Sequence, residues 1–85
     1  MELIKRDRKY IKMVNIFIKL PNGKMINALF EMNNSIYRIK QHIQDCYGIP
    51  TDRQKLYFER HHLEDDKSLL DYNINHQDII HILFV

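Results

Sequence analysis

Val14-Asn15-Ile16-Phe17-Ile18-Lys19-Leu20, then Pro21-Asn22-Gly23, then Lys24-Met25-Ile26-Asn27-Ala28-Leu29-Phe30-Glu31 reads as two strands and the turn between them. Val14, Ile16, Ile18 and Leu20 share one parity, and Asn15, Phe17 and Lys19 the other. Period two is the pattern of a half-buried strand. Proline presets φ for the second turn position, Asn tolerates the next, and Gly23 accepts the left-handed backbone of a bulged hairpin loop. Alternation then resumes, with Ile26, Ala28 and Phe30 on one side and Asn27, Leu29 and Glu31 on the other. The segment is a β-hairpin.

Beyond it, Asn33-Asn34-Ser35 breaks the alternation, and Ser35 suits a helix N-cap. Ile36, Ile39 and Ile43 recur at helical spacing, Gly48 stands where a left-handed C-cap belongs, and Pro50 follows. These signals predict an amphipathic helix over residues 35–47 with its isoleucine stripe across the hairpin. A short strand is expected at 54–58, a turn at 60–62, an acidic loop at 64–66, another turn at 69–72, and an apolar strand at 79–85. The expected class is α+β: a mixed sheet of four to five strands with one main helix packed across it, and the last strand parallel to and beside the first.

The chain has 85 residues, 45% of them hydrophobic and 28% charged, which suits one folded domain. No apolar run approaches the roughly 20 residues of a membrane span. A single cysteine, Cys46, excludes an internal disulfide framework and suits a reducing compartment, so a cytoplasmic or nuclear location is expected. Two glycines leave little room for a glycine-rich phosphate loop. The net charge of +2 is uneven: residues 1–12 carry five basic and two acidic side chains, the rest eight and nine. The expectation is a flexible basic leader at 1–12 and a domain at 13–85. A leader of this kind could touch phosphates or lipid head groups, but a nearly neutral body argues against a nucleic-acid-binding fold.

Catalytic constellations are poor. His61-His62 with Asp65, or His81 with Glu59, could be drawn as metal or acid–base clusters, but adjacent histidines in a strand point to opposite sides and no HxxxH or CxxC spacing exists. Cys46 has no histidine at a distance that suggests a nucleophile. Neither an enzyme nor a cofactor is expected.

Five short strings run in register over residues 14–85: Ile16-Phe17-Ile18-Lys19 ahead of Gly23-Lys24, Ile43-Gln44-Asp45, Gly48-Ile49-Pro50, Leu63-Glu64-Asp65 and Asp71-Tyr72-Asn73-Ile74. In identity and spacing the chain resembles the ubiquitin-like family, which implies a β-grasp fold. The resemblance implies a core of Ile16, Ile18, Ile26, Phe30, Ile36, Ile39, Ile43, Leu56, Leu63, Leu69, Ile74, Ile80 and Ile82. It implies that Lys40 pairs with Asp65 and that the Tyr72 hydroxyl bonds backbone near Glu64. It implies a protein-binding patch on the sheet at Tyr57 and Leu83, bordered by His81 and Leu20. A secondary patch would fall at Ile49 and Phe84, and Phe17 would mark a third.

Tyr57 stands where the family has an aliphatic residue and Pro21 where it has a leucine. The chain ends at Val85 without the arginine and glycine pair of a conjugated modifier. His42, Cys46, His61 and His76 replace lysines of the family pattern, while Lys19, Lys24 and Lys40 keep it. The expectation is a monomeric, non-catalytic docking domain cut from a longer polypeptide. Its expected partners are proteasomal ubiquitin receptors, ubiquitin-binding or ubiquitin-processing proteins, or a neighbouring domain of its own chain. The alternatives are a modifier whose diglycine tail is trimmed and an electrostatic adaptor working through the leader. Small molecules, nucleic acid and membranes are not expected partners.

Overall fold

Pro21-Asn22-Gly23 turns the chain back through Gly23 N–H donating to Leu20 O (2.9 Å) and Leu20 N–H donating to Lys24 O (2.8 Å). Gly23 sits at φ 88°, a conformation that glycine adopts without a Cβ clash. The computed structural model describes residues 2–6 and 9–85, with side chains from Lys12 onward. Its elements are β1 (Glu2–Arg6), β2 (Lys9–Lys19), β3 (Met25–Glu31), α1 (Ile36–Tyr47), a single 3-10 turn (Thr51–Arg53), β4 (Gln54–Phe58), β5 (His61–His62) and β6 (Ile79–Phe84).

Among the described residues the sheet has six strands, in the order β1-β2-β6-β4-β5, with β3 also paired to β2. The β2–β6 pair is parallel, aligning Phe17, Ile18 and Lys19 with Ile79, Ile80 and His81. Parallel neighbours need a long crossover, and α1 lies within it. The chain forms a mixed sheet with one main helix, an α+β β-grasp.

α1 begins where the sequence signals placed it. Ser35 Oγ accepts from Arg38 N–H (3.1 Å), and Gly48, left-handed at φ 73°, closes the far end with its N–H on Gln44 O. Ile36, Ile39 and Ile43 are fully buried on its inner face. They meet Ile16, Ile18, Leu56, Leu63, Leu69, Ile74, Ile80 and Ile82 from the sheet and loops. Val14 and Met32 join this core although the expected set omits them. Ile26 departs the other way and is only half-buried, packed at the margin.

The N-terminus departs most from expectation. In place of a flexible leader ending at residue 12, β1 pairs antiparallel with residues 9–13 of β2, from Glu2 opposite Met13 to Arg6 opposite Lys9. β2 is one continuous strand of 11 residues, so the boundary expected between 12 and 13 falls inside it. Extended backbone passes unbroken from the hairpin body into the charged segment, and β1 gives it a partner. The tight turn also lies earlier than expected: Glu59 and Arg60 form it at φ 49° and 72°, and His61 and His62 already pair with Phe58 and Tyr57.

Candidate protein-docking face

Alternation in two neighbouring strands, β4 and β6, builds this face. Leu56, Ile80 and Ile82 point into the core, so Tyr57, Ile79, His81 and Leu83 fall on the opposite side of the sheet. Register then lines up one rung across four strands: Lys19 faces His81, His81 faces Tyr57, and Tyr57 faces His62. The Tyr57 and His62 rings lie 5.4 Å apart at a 52° tilt. Leu83, paired with Lys55 on the next rung of the same parity, is 50% exposed. Tyr57, His81 and Leu83 therefore share one surface, with the Tyr57 ring held between two imidazole-bearing strands.

Leu20 does not join them. It continues the inward parity of Ile16 and Ile18 and packs against the core, so the expected border residue lies on the wrong side of the strand. The secondary pair fares differently. Phe84 is exposed opposite Gln54, and Ile49 is half-buried with its carbonyl accepting from Gln54 Nε2 (2.9 Å), so Gln54 lies next to both. Phe17 is half-buried on the outer parity, between Asn27 and Ile79.

Charge on the face is one-sided. Lys19 and Lys55 occupy outward positions on β2 and β4, and Glu31, at the far end of β3, is the one carboxylate on an outward position from residue 13 on. Glu64, Asp65 and Asp66 gather in the loop after β5 instead. The basic side chains of Lys5, Arg6, Arg8 and Lys9 lie outside the described residues, so the leader's contact with phosphate or lipid has no geometry here.

The structural residues sit in specific bonds. Lys40 Nζ is 2.6 Å from Asp65 Oδ1, with the lysine side chain 7% exposed and the aspartate 53%. Tyr72 Oη accepts from Glu64 N–H at 2.9 Å. Gln54 was invisible to sequence reasoning, which expects glutamine at the surface. It is buried, and its Nε2 donates to the carbonyls of Lys40 (3.0 Å) and Ile49, tying helix, loop and β4 together. His76 Nδ1 accepts from Asn15 N–H (3.0 Å), which places the proton of a neutral ring on Nε2.

One sequence expectation needs correcting. Cys46 does have a histidine nearby: His42 Nε2 lies 3.7 Å from its Sγ, at the i, i+4 spacing that brings helical side chains together. The His42 ring also stands edge-on to Phe30, centroids 5.5 Å apart. The pair occupies an open helix face. Among the described residues no three His, Cys, Asp or Glu side chains are placed to hold a metal ion, and no helix is long and apolar enough to cross a membrane.

Comparison with known proteins adds the lineage of this geometry. The model of the ubiquitin family matches residues 16–84. The ubiquitin-like protein NEDD8 of Dictyostelium discoideum is 31% identical over 68 residues, covering 80% of this chain and 88% of the relative. The NEDD8-like protein RUB3 of Arabidopsis thaliana is 29% identical over 70 residues, 82% of this chain and 90% of the relative. The ubiquitin domain-containing protein 7SL RNA2 of Arabidopsis thaliana is 28% identical over 67 residues, which are 79% of this chain but 26% of that longer protein.

Proposed function

The chain belongs to the ubiquitin family, and from that premise we propose that it is a non-catalytic docking module of a larger protein. Through the outer face of its sheet it binds receptors or processing enzymes of the ubiquitin–proteasome pathway. The observation that carries this reading is the rung Lys19–His81–Tyr57–His62 with exposed Leu83 beside it. An aromatic anchor fixed on rigid strands, next to an exposed leucine and bordered by cations, is the make-up of an interface hot spot. The charge distribution suits a partner that brings apolar side chains to Tyr57 and Leu83 and carboxylates to the rim. The reading goes with a reducing cytoplasmic or nuclear location, in keeping with an exposed unpaired thiol at Cys46.

The test is an amide chemical-shift titration with a proteasomal ubiquitin receptor, on the wild type and on Tyr57→Ala. Shifts should cluster on Tyr57, His81 and Leu83. Truncation should weaken binding roughly thirtyfold, as loss of a central anchor worth ~2 kcal/mol does, and lower the thermal midpoint by only a few degrees, because the half-buried ring also loses its cross-strand contact with His62. Shifts confined to residues 1–12 would replace this reading with the electrostatic adaptor.

A second reading, a ubiquitin-like modifier, is favoured by one observation: two of the relatives matched along most of their length are named NEDD8 or NEDD8-like. Covalent adducts of the tagged intact protein, stable on denaturing gels of its own cell extract, would establish that role. A tagged protein seen only at its own mass would exclude it.

A further inference from the structure

We propose that the chain associates as a symmetric dimer, its β1 pairing antiparallel with the β1 of a second copy. β1 ends the strand order: one edge pairs with β2, and among the described residues no strand covers the other. An open strand edge is a template for further pairing, which proteins commonly block with charge. The charges on β1 have an order that does the opposite for one arrangement.

The strand reads Glu2-Leu3-Ile4-Lys5-Arg6. Residues opposite one another in a ladder share a face, so a two-fold axis normal to the sheet pairs only positions of equal parity. The register with full overlap is then centred on Ile4. It sets Glu2 opposite Arg6 of the second copy, Leu3 opposite Lys5, and Ile4 opposite Ile4. The two end rungs, related to each other by the two-fold axis, both join opposite charges, which favours the pairing. A parallel in-register pair would set Glu2 on Glu2 and Arg6 on Arg6. The charge order thus selects the antiparallel dimer.

No other edge offers this. β3 is open on one side, but the same operation centred on Ala28 sets Met25 opposite Glu31, with no compensating charge. β5 has two residues. β1 also precedes the residues that match the family model, so the contact belongs to what this chain adds to the shared fold. A five-residue edge makes a small interface, so the dimer is weak and dependent on concentration.

Sedimentation over a concentration series reaching millimolar tests the proposal with wild type, Glu2→Arg, Arg6→Glu and the double variant. In the β1–β2 register Glu2 is opposite Met13 and Arg6 opposite Lys9, so neither change places like charges at opposed positions there. Each single variant turns both end rungs of the dimer into like-charge pairs and should raise the dissociation constant about tenfold. The double variant reverses the order of charges and should return to within about threefold of wild type. Circular dichroism checks that each variant is folded. A wild type that stays monomeric overturns the proposal. So do single variants that associate like wild type, or a folded double variant that behaves like the singles.

Discussion

Removing Asp65 should cost this domain more than removing the charge of Lys40, although the two form one ion pair. The asymmetry comes from burial: the lysine side chain is 7% exposed and the aspartate 53%, with Nζ and Oδ1 2.6 Å apart. Asp65→Ala leaves an ammonium on the inner side of α1 without its counter-charge. Breaking a fully buried pair costs about 3–5 kcal/mol, and an exposed pair is worth about 0.2–1. A half-exposed carboxylate, whose site water can reach, puts the expected loss near 2 kcal/mol. Lys40→Met keeps the volume of the stem and frees a carboxylate that water can solvate, so it should fall within about 1 kcal/mol of wild type. In that background Asp65→Ala should cost under ~0.5 kcal/mol.

The helix contact through Asp65 is unaffected by truncation, because Tyr37 N–H donates to the Asp65 backbone carbonyl (3.2 Å). Urea unfolding at neutral pH measures all four corners of the cycle. With a slope near ~1 kcal/mol/M for a small domain, Asp65→Ala should move the midpoint down by about 2 M. Equal costs for Asp65→Ala in the two backgrounds, within about 0.3 kcal/mol, would refute the reasoning, since the carboxylate would then not be compensating a desolvated cation.

Two further predictions concern the loops. Arg60 sits at φ 72° in the β4–β5 turn, where a side chain is strained, so Arg60→Gly should stabilise by about 0.5–1 kcal/mol. That gain should read as a rise of several degrees in Tm, and no rise would mean that the turn carries no strain. The Asp71 carboxyl is held below the usual carboxylate range, chiefly by the Ser68 backbone N–H (2.8 Å) and then by the Ser68 hydroxyl, against an opposing effect of desolvation, with Lys67 adding the least. A folded-state value below the unfolded one adds stability that is present above the ordinary aspartate range and is lost as pH falls through the lowered value. Asp71→Asn should therefore lower Tm at neutral pH, and the gap should close in acid. A gap constant with pH would contradict this.

The sequence alone determined the elements whose signals are local. Alternation from Val14 to Leu20 and from Ile26 to Phe30 named the two strands, because side chains on extended backbone must alternate. Ser35 and Gly48 bounded the helix, because unpaired N–H groups at one end and a left-handed residue at the other need those side chains or their absence. Parity separated Tyr57 and Leu83 from Leu56 and Ile82 before any contact was known. The same parity already assigned Leu20 to the buried side, and the resemblance to the family pulled it toward the patch against that signal.

Tertiary structure decided what depends on partners distant in the chain. Gln54 is buried because two carbonyls, those of Lys40 and Ile49, need its amide donors, and nothing around residue 54 announces them. His62 meets the Tyr57 ring only once a left-handed turn at Glu59 and Arg60 folds β5 back onto β4. β1 was hidden by its charges, since Lys5, Arg6, Arg8 and Lys9 read as a solvated leader until β2 supplied a ladder for residues 2–6. Local propensity is written residue by residue. Burial, pairing register and the faces a strand shares with its neighbours exist only when segments far apart in the chain meet.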